Sequence, residues 1–90
     1  MLFVLICDDR PGALDLRMAN RGTHLEYIEM TGSVVQAGPL LDEAGEMCGS
    51  LLILDVPDRA AAEAWAAGDP YAMAGLFERV EIRAWNRVVG

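Results

Sequence analysis

Ninety residues make one domain with a thin core, since so short a chain buries only about 60 to 65% of the surface its unfolded form exposes. A 53% apolar composition and a mean hydropathy of +0.23 exceed what a monomer of this size needs, so part of the surface is expected to cover a partner. Fourteen acidic against seven basic residues give a net charge of -7, which argues against nucleic-acid and membrane partners, and the lack of any lysine excludes Schiff-base chemistry and a P-loop.

Met1 to Cys7 reads as a strand apolar on both faces, with Phe3, Leu5 and Cys7 pointing one way and Leu2, Val4 and Ile6 the other. Asp8 to Gly12 is a polar turn. Ala13 to about Thr31 has no proline and shows helical spacing, with Leu14, Met18, Leu25 and Ile28 on one stripe and Gly32 as a left-handed cap. Ser33 to Ala37 is a short strand stopped by Gly38 and Pro39, and Asp42 to Glu46 is an acidic loop. Ser50 to Val56 is a second strand apolar on both faces. Asp58 caps an alanine-rich helix that runs to about Ala67, anchored by Trp65 and ended by Gly68. Asp69 followed by Pro70 starts a short helix or turn to Leu76. The last strand, Arg79 to Trp85, alternates, with Val80, Ile82 and Ala84 toward the core and Arg79, Glu81 and Arg83 outward.

The order β-α-β-β-α-β is that of an α+β, ferredoxin-like fold: a four-stranded antiparallel sheet with the first and third strands at its centre. Two helices cover one face, so the other apolar face is expected to meet a second copy of the same sheet in a homodimer. The whole chain, 1–90, reads as a single domain. Neither a secretion signal nor C-x-x-C spacing accompanies Cys7 and Cys48, so reduced thiols in a cytoplasmic protein are expected.

Candidate chemistry centres on the only histidine, His24, on the flank of the first helix's apolar stripe. Arg21 falls inside that stripe and needs a partner, since an unpaired buried guanidinium costs roughly several kcal/mol; Arg17 lies on the flank with His24. The plain structural alternative has both arginines reaching the surface and His24 donating to a backbone carbonyl. Asp69 serves equally as a helix cap or as the carboxylate that orients an imidazole. Ser50 either satisfies a turn or donates to a ligand, and Tyr71 and Phe77 supply ring surface nearby. One histidine and two unspaced cysteines offer no metal set, and no nucleotide fingerprint is present, so neither metal nor cofactor is expected; the methionines Met18, Met30, Met47 and Met73 read as gap fillers.

Arg21-Gly22-Thr23-His24-Leu25, Gly38-Pro39, Gly49-Ser50, Ala64-Trp65 and Gly68-Asp69-Pro70-Tyr71, in that order over the whole chain, resemble the YCII-related (YciI-like) family. The resemblance implies a ferredoxin-like fold paired sheet to sheet as a dimeric α+β barrel, and an active site of a histidine and an aspartate that map onto His24 and Asp69. It also implies a lining that includes Arg21, Ser50 and Tyr71. Two functions follow as expectations. One is a lyase or isomerase acting on a small molecule in a dimer-associated pocket, with His24 as general acid or base, Asp69 as its orienter and Arg21 anchoring an anionic or oxygenated substrate. The other is a non-catalytic dimeric module that binds a metabolite or partner protein; a haem or metal held by His24 is a more remote third.

Overall fold

A computed structural model describes the whole chain, Met1–Gly90. The apolar opening run forms β1 (Leu2–Asp9), followed by α1 (Leu14–Thr31), β2 (Val34–Leu41), β3 (Met47–Asp55), α2 (Arg59–Gly68), the single turn α3 (Pro70–Met73) and β4 (Phe77–Trp85). The strands pair antiparallel in the order β2-β3-β1-β4. This is the expected ferredoxin-like arrangement, with helices on one face. The two strands that are apolar on both sides occupy the centre, because only a central strand loses solvent on both faces.

On the helix-bearing face, Phe3, Leu5 and Cys7 of β1 and Leu52 and Leu54 of β3 form one buried cluster with Val56 and with Ala62 and Trp65 of α2. The opposite face carries Leu2, Val4 and Ile6 beside Leu51 and Ile53, with Val4 paired to Ile53 and Ile6 to Leu51. Four of these five side chains remain only half-buried. β4 borders this aliphatic patch with Glu81 and Arg83, which pair with each other at 3.4 Å.

Local signals place the ends. Gly32 adopts φ 64° and its N–H returns to the Ile28 carbonyl, closing α1. Asp58 accepts from the Ala61 N–H at 2.9 Å to start α2, and Asp69 breaks the chain into an extended residue (φ -61°, ψ 126°) before α3. Gly49 is required by close approach: a Cβ there would run into the Cys7 carbonyl oxygen, so a larger residue would push β3 off β1.

Five expectations are corrected. β2 does not stop at Gly38-Pro39 but continues to Leu41, because it is an edge strand and Pro39 can lie opposite Ser50 without a donor being missed on its solvent side. β1 extends through Asp8 and Asp9 rather than turning there, since the pairing to β3 persists to Asp8 and that to β4, across a register shift, to Asp9. The stripe of α1 is not the buried face: Met18 is 52% and Leu25 45% exposed, whereas Arg17 and His24 are buried. α1 rests on the sheet through hydrogen-bonded polar side chains together with Tyr27 and Ile28, so the buried face is rotated from the apolar stripe toward its Arg17 and His24 flank and shares Ile28 with it. Val80 and Ala84 do share the helix-side face, opposite Cys7 and Phe3, yet both are exposed because the helices leave the outer edge of β4 uncovered. Of the methionines read as fillers, Met18, Met30 and Met73 are exposed, and Met47 alone is partly buried.

Candidate functional site

Arg17, Arg21 and His24 follow one another along α1 at four- and three-residue steps, which sets them on neighbouring turns of one side of the helix. That side faces β3 and the edge strand β2, and between them lies a cleft of about 120 Å³. Ser50 and Leu52 form part of its floor, Ala37, Pro39 and Met47 its outer wall, and Tyr71 its end. The cleft therefore rests on the helix-bearing face. The Val4 and Ile53 patch lies on the other side of the sheet.

His24 and Asp69 are 45 residues apart in sequence, and the fold brings His24 Nδ1 to 2.7 Å from Asp69 Oδ1. Both side chains are buried, at 7% and 2% exposure. Asp69 Oδ1 also accepts the Tyr71 backbone N–H at 3.0 Å, so the aspartate caps α3 and holds the imidazole with the same oxygen. An oxygen that already accepts one N–H is an acceptor here, which puts the ring proton on Nδ1 and leaves the Nε2 lone pair free in the neutral imidazole. Nε2 has no protein partner and is not sealed from solvent; His24 lines the cleft. The ring is fixed a second time by Tyr71, stacked at 3.9 Å and 16°. Tyr71 is in turn braced edge-on by Phe77 at 5.9 Å.

A second buried pair was missed by the sequence reading. Arg17 Nε donates to Asp9 Oδ2 at 2.7 Å and Nη2 to Asp9 Oδ1 at 2.9 Å, a two-pronged pair at 3% and 5% exposure. Nη2 also donates to Ser50 Oγ at 2.8 Å, and the guanidinium carbon lies 4.7 Å from the centre of the Tyr71 ring. Burial works against the Arg17 charge, but Asp9 outweighs it and holds the group above the usual arginine range. The partner expected for a buried arginine thus exists, but it serves Arg17. Arg21 is exposed at the cleft and makes no protein hydrogen bond or ion pair. Strand alternation in β1 would have pointed to Asp9, which falls on the same side as Cys7, had the strand been carried two residues further.

Burial pushes the Tyr71 phenol up despite the opposing charges of Arg17 and Arg21, so it stays protonated and able to donate. Burial, reinforced by Asp69, pushes the Cys7 thiol up to about 12 from its ordinary 9.0, which makes it a packing residue rather than a nucleophile. Cys48 is exposed and remote in role, and no group of three or more histidine, cysteine or carboxylate side chains is arranged to hold a metal.

The sequence profile of the YCII-related domain matches residues 1–86. The chain belongs to the YCII-related domain family. It is similar to protein YciI of Escherichia coli O6:H1, with 32% identity over 97 aligned positions, 98% of this chain and 99% of the relative. Among solved structures, it is similar to the 5-chloro-2-hydroxyhydroquinone dehydrochlorinase TftG of Burkholderia phenoliruptrix AC1100, in complex with 2,5-dihydroxybenzoquinone. That similarity has a TM-score of 0.87 and 32% identity, over 96% of this chain and 94% of the other. A putative antibiotic biosynthesis monooxygenase of Bacteroides thetaiotaomicron shares the fold alone, at TM-score 0.60 and 14% identity, over 99% and 90% of the two chains. No helix of this YCII-related chain is long and apolar enough to cross a membrane.

Proposed function

We propose that this YCII-related protein is a small-molecule enzyme of the lyase or isomerase type, in which His24 moves a proton at Nε2 and Asp69 holds the ring in the productive tautomer. The observation that carries this reading is the 2.7 Å bond at Nδ1 combined with an unpartnered Nε2 facing the cleft. One ring nitrogen is committed and the other is available, the division that proton transfer needs. Ser50, Tyr71 and Arg21 line the same cleft and supply contacts to the substrate. The similarity over nearly the whole chain to a dehydrochlorinase, an enzyme acting on a small oxygenated ring, supports chemistry over simple binding.

The reading includes a homodimer closed through the uncovered sheet faces, because Leu2, Val4, Ile6, Leu51 and Ile53 form an aliphatic patch that no helix covers. Such an interface should bury at least about 1,000 Å² in total. Val4→Asp is expected to shift light scattering from dimer to monomer, and a wild-type monomer at micromolar concentration would remove this part of the proposal.

A screen of small hydroxylated and halogenated ring compounds with the wild-type protein supplies the substrate. With it, folded His24→Ala should lose on the order of 10²-fold or more in kcat, the usual worth of a general acid or base. Full turnover by that variant would sink the assignment. Tight binding of a metabolite with no turnover would instead favour the non-catalytic module.

A further inference from the structure

In a chain with 14 acidic residues among 90, none of the residues lining the cleft is acidic. Two carboxylates lie close behind it, and both are consumed: Asp9 by Arg17, and Asp69 by His24 and the Tyr71 N–H. What remains directed at a ligand is almost entirely donors. Ser50 Oγ accepts from Arg17, so its own proton is free to be given away. Tyr71 presents a phenol whose oxygen lies beside Arg17 and whose proton can be given away, and Arg21 presents a guanidinium with no protein hydrogen bond or ion pair. His24 Nε2 is an acceptor with no protein partner. The two arginines differ: Arg17 is paired with Asp9 at 2.7 Å and the Asp69 carboxylate is turned toward His24 Nδ1 and the Tyr71 N–H, so Arg21 is the arginine of the lining with no counter-charge in contact.

From this accounting we propose that the cleft selects ligands carrying one negative charge on an oxygen, a carboxylate or an acidic enol or phenol, with Arg21 as the residue that reads it. A neutral ligand leaves Arg21 unanswered. A dianion brings a second charge into a cleft whose other wall is aliphatic (Leu25, Ile28, Ala37, Pro39 and Met47), inside a protein of net charge -7, where nothing compensates it. This inference rests on the same cleft as the proposed function but concerns recognition, and it is tested without turnover.

His24 is the only histidine, so its ring protons give one unambiguous pair of NMR signals inside the cleft. Wild-type protein is titrated at neutral pH and low salt with benzoate, benzamide and phthalate, matched rings carrying one, no and two charges. Benzoate is expected to shift the His24 signals with a saturating curve, and benzamide and phthalate to bind at least about tenfold more weakly, the worth of one charge-assisted hydrogen bond. Arg21→Gln should weaken benzoate by a similar factor and leave benzamide unchanged, and Arg21→Lys should restore part of the loss. Equal binding of benzoate and benzamide, tighter binding of phthalate, indifference to Arg21→Gln, or no shift with any probe at millimolar concentration would each overturn the proposal. The outcome is separate from the role of His24 in catalysis: charge selection can hold in a protein that turns nothing over, and it can fail while His24→Ala still abolishes kcat.

Discussion

Two buried acid-base pairs stand two helical turns apart on α1 and touch the same tyrosine, yet they differ in what they leave free. Arg17 and Asp9 engage each other through two nitrogens and two oxygens, and Ser50 takes a further hydrogen bond from Arg17. His24 and Asp69 are as deeply buried and equally short at 2.7 Å, but only one ring nitrogen is used. Burial and short distance are thus shared by a two-pronged ion pair and by a pair that leaves a ring nitrogen open. Titratability separates them: a guanidinium that stays protonated fixes geometry and electrostatics, while an imidazole held at one nitrogen remains able to take or give a proton at the other.

The contrast breaks first on stability. Arg17→Met leaves the Asp9 carboxylate buried without its counter-charge and should cost about 3 to 5 kcal/mol in urea unfolding, whereas Arg17→Met with Asp9→Leu should recover most of that loss. A cost for Arg17→Met no larger than that of a surface change would show that the ion pair does not fix the geometry in this way. The second test falls on Asp69. Asp69→Ala removes both the α3 cap and the histidine's partner and should cost about 1 to 2 kcal/mol, while Asp69→Asn should keep most of the cap, because asparagine caps about as well as aspartate. Activity per folded molecule should fall in both variants if Asp69 orients His24; equal activity in wild type and Asn would reduce it to a cap.

A third, smaller effect lies in the alkaline range. The Cys7 thiol titrates near 12 when folded and at about 9.0 when exposed, so above pH 9.0 the unfolded chain holds fewer protons than the native one and stability falls as pH rises. The loss should be roughly 1 kcal/mol one unit above that pH and should diminish in Cys7→Ala. Tyr27 and Tyr71, also raised by burial, add a loss of the same sign at higher pH. For the same reason a thiol reagent at mild pH should add once per folded chain, at Cys48, as read by intact mass. The smallest effect is the reference point: Glu63→Gln breaks only the exposed pair with Arg59 and should change stability by less than about 0.5 kcal/mol.

Much of the architecture was legible because it rests on local chemistry. Two-sided apolar runs put β1 and β3 at the centre, Gly32 and Asp58 marked helix ends, and Asp69-Pro70 marked a new turn. The strand ends were less legible, since Pro39 and Asp9 read as breakers until it is known that one lies on a sheet edge and the other opposite a buried arginine. For the site, the family resemblance named His24 and Asp69, while Arg17 and Asp9 escaped because each alone looks like an ordinary surface residue.

The sequence by itself determined the order of elements, the central strands, the excess of apolar surface and the absence of lysine, all of which follow from residue type and spacing along the chain. Only the tertiary structure decided which face of α1 is buried, which arginine is neutralised and which remains free, and which nitrogen of His24 is left open. The physical reason is that side-chain pairing energies depend on distances between residues remote in sequence. Hydrophobic periodicity predicted an apolar face for α1, but a bidentate ion pair at 2.7 Å and a capping aspartate 45 residues from its histidine outweighed it.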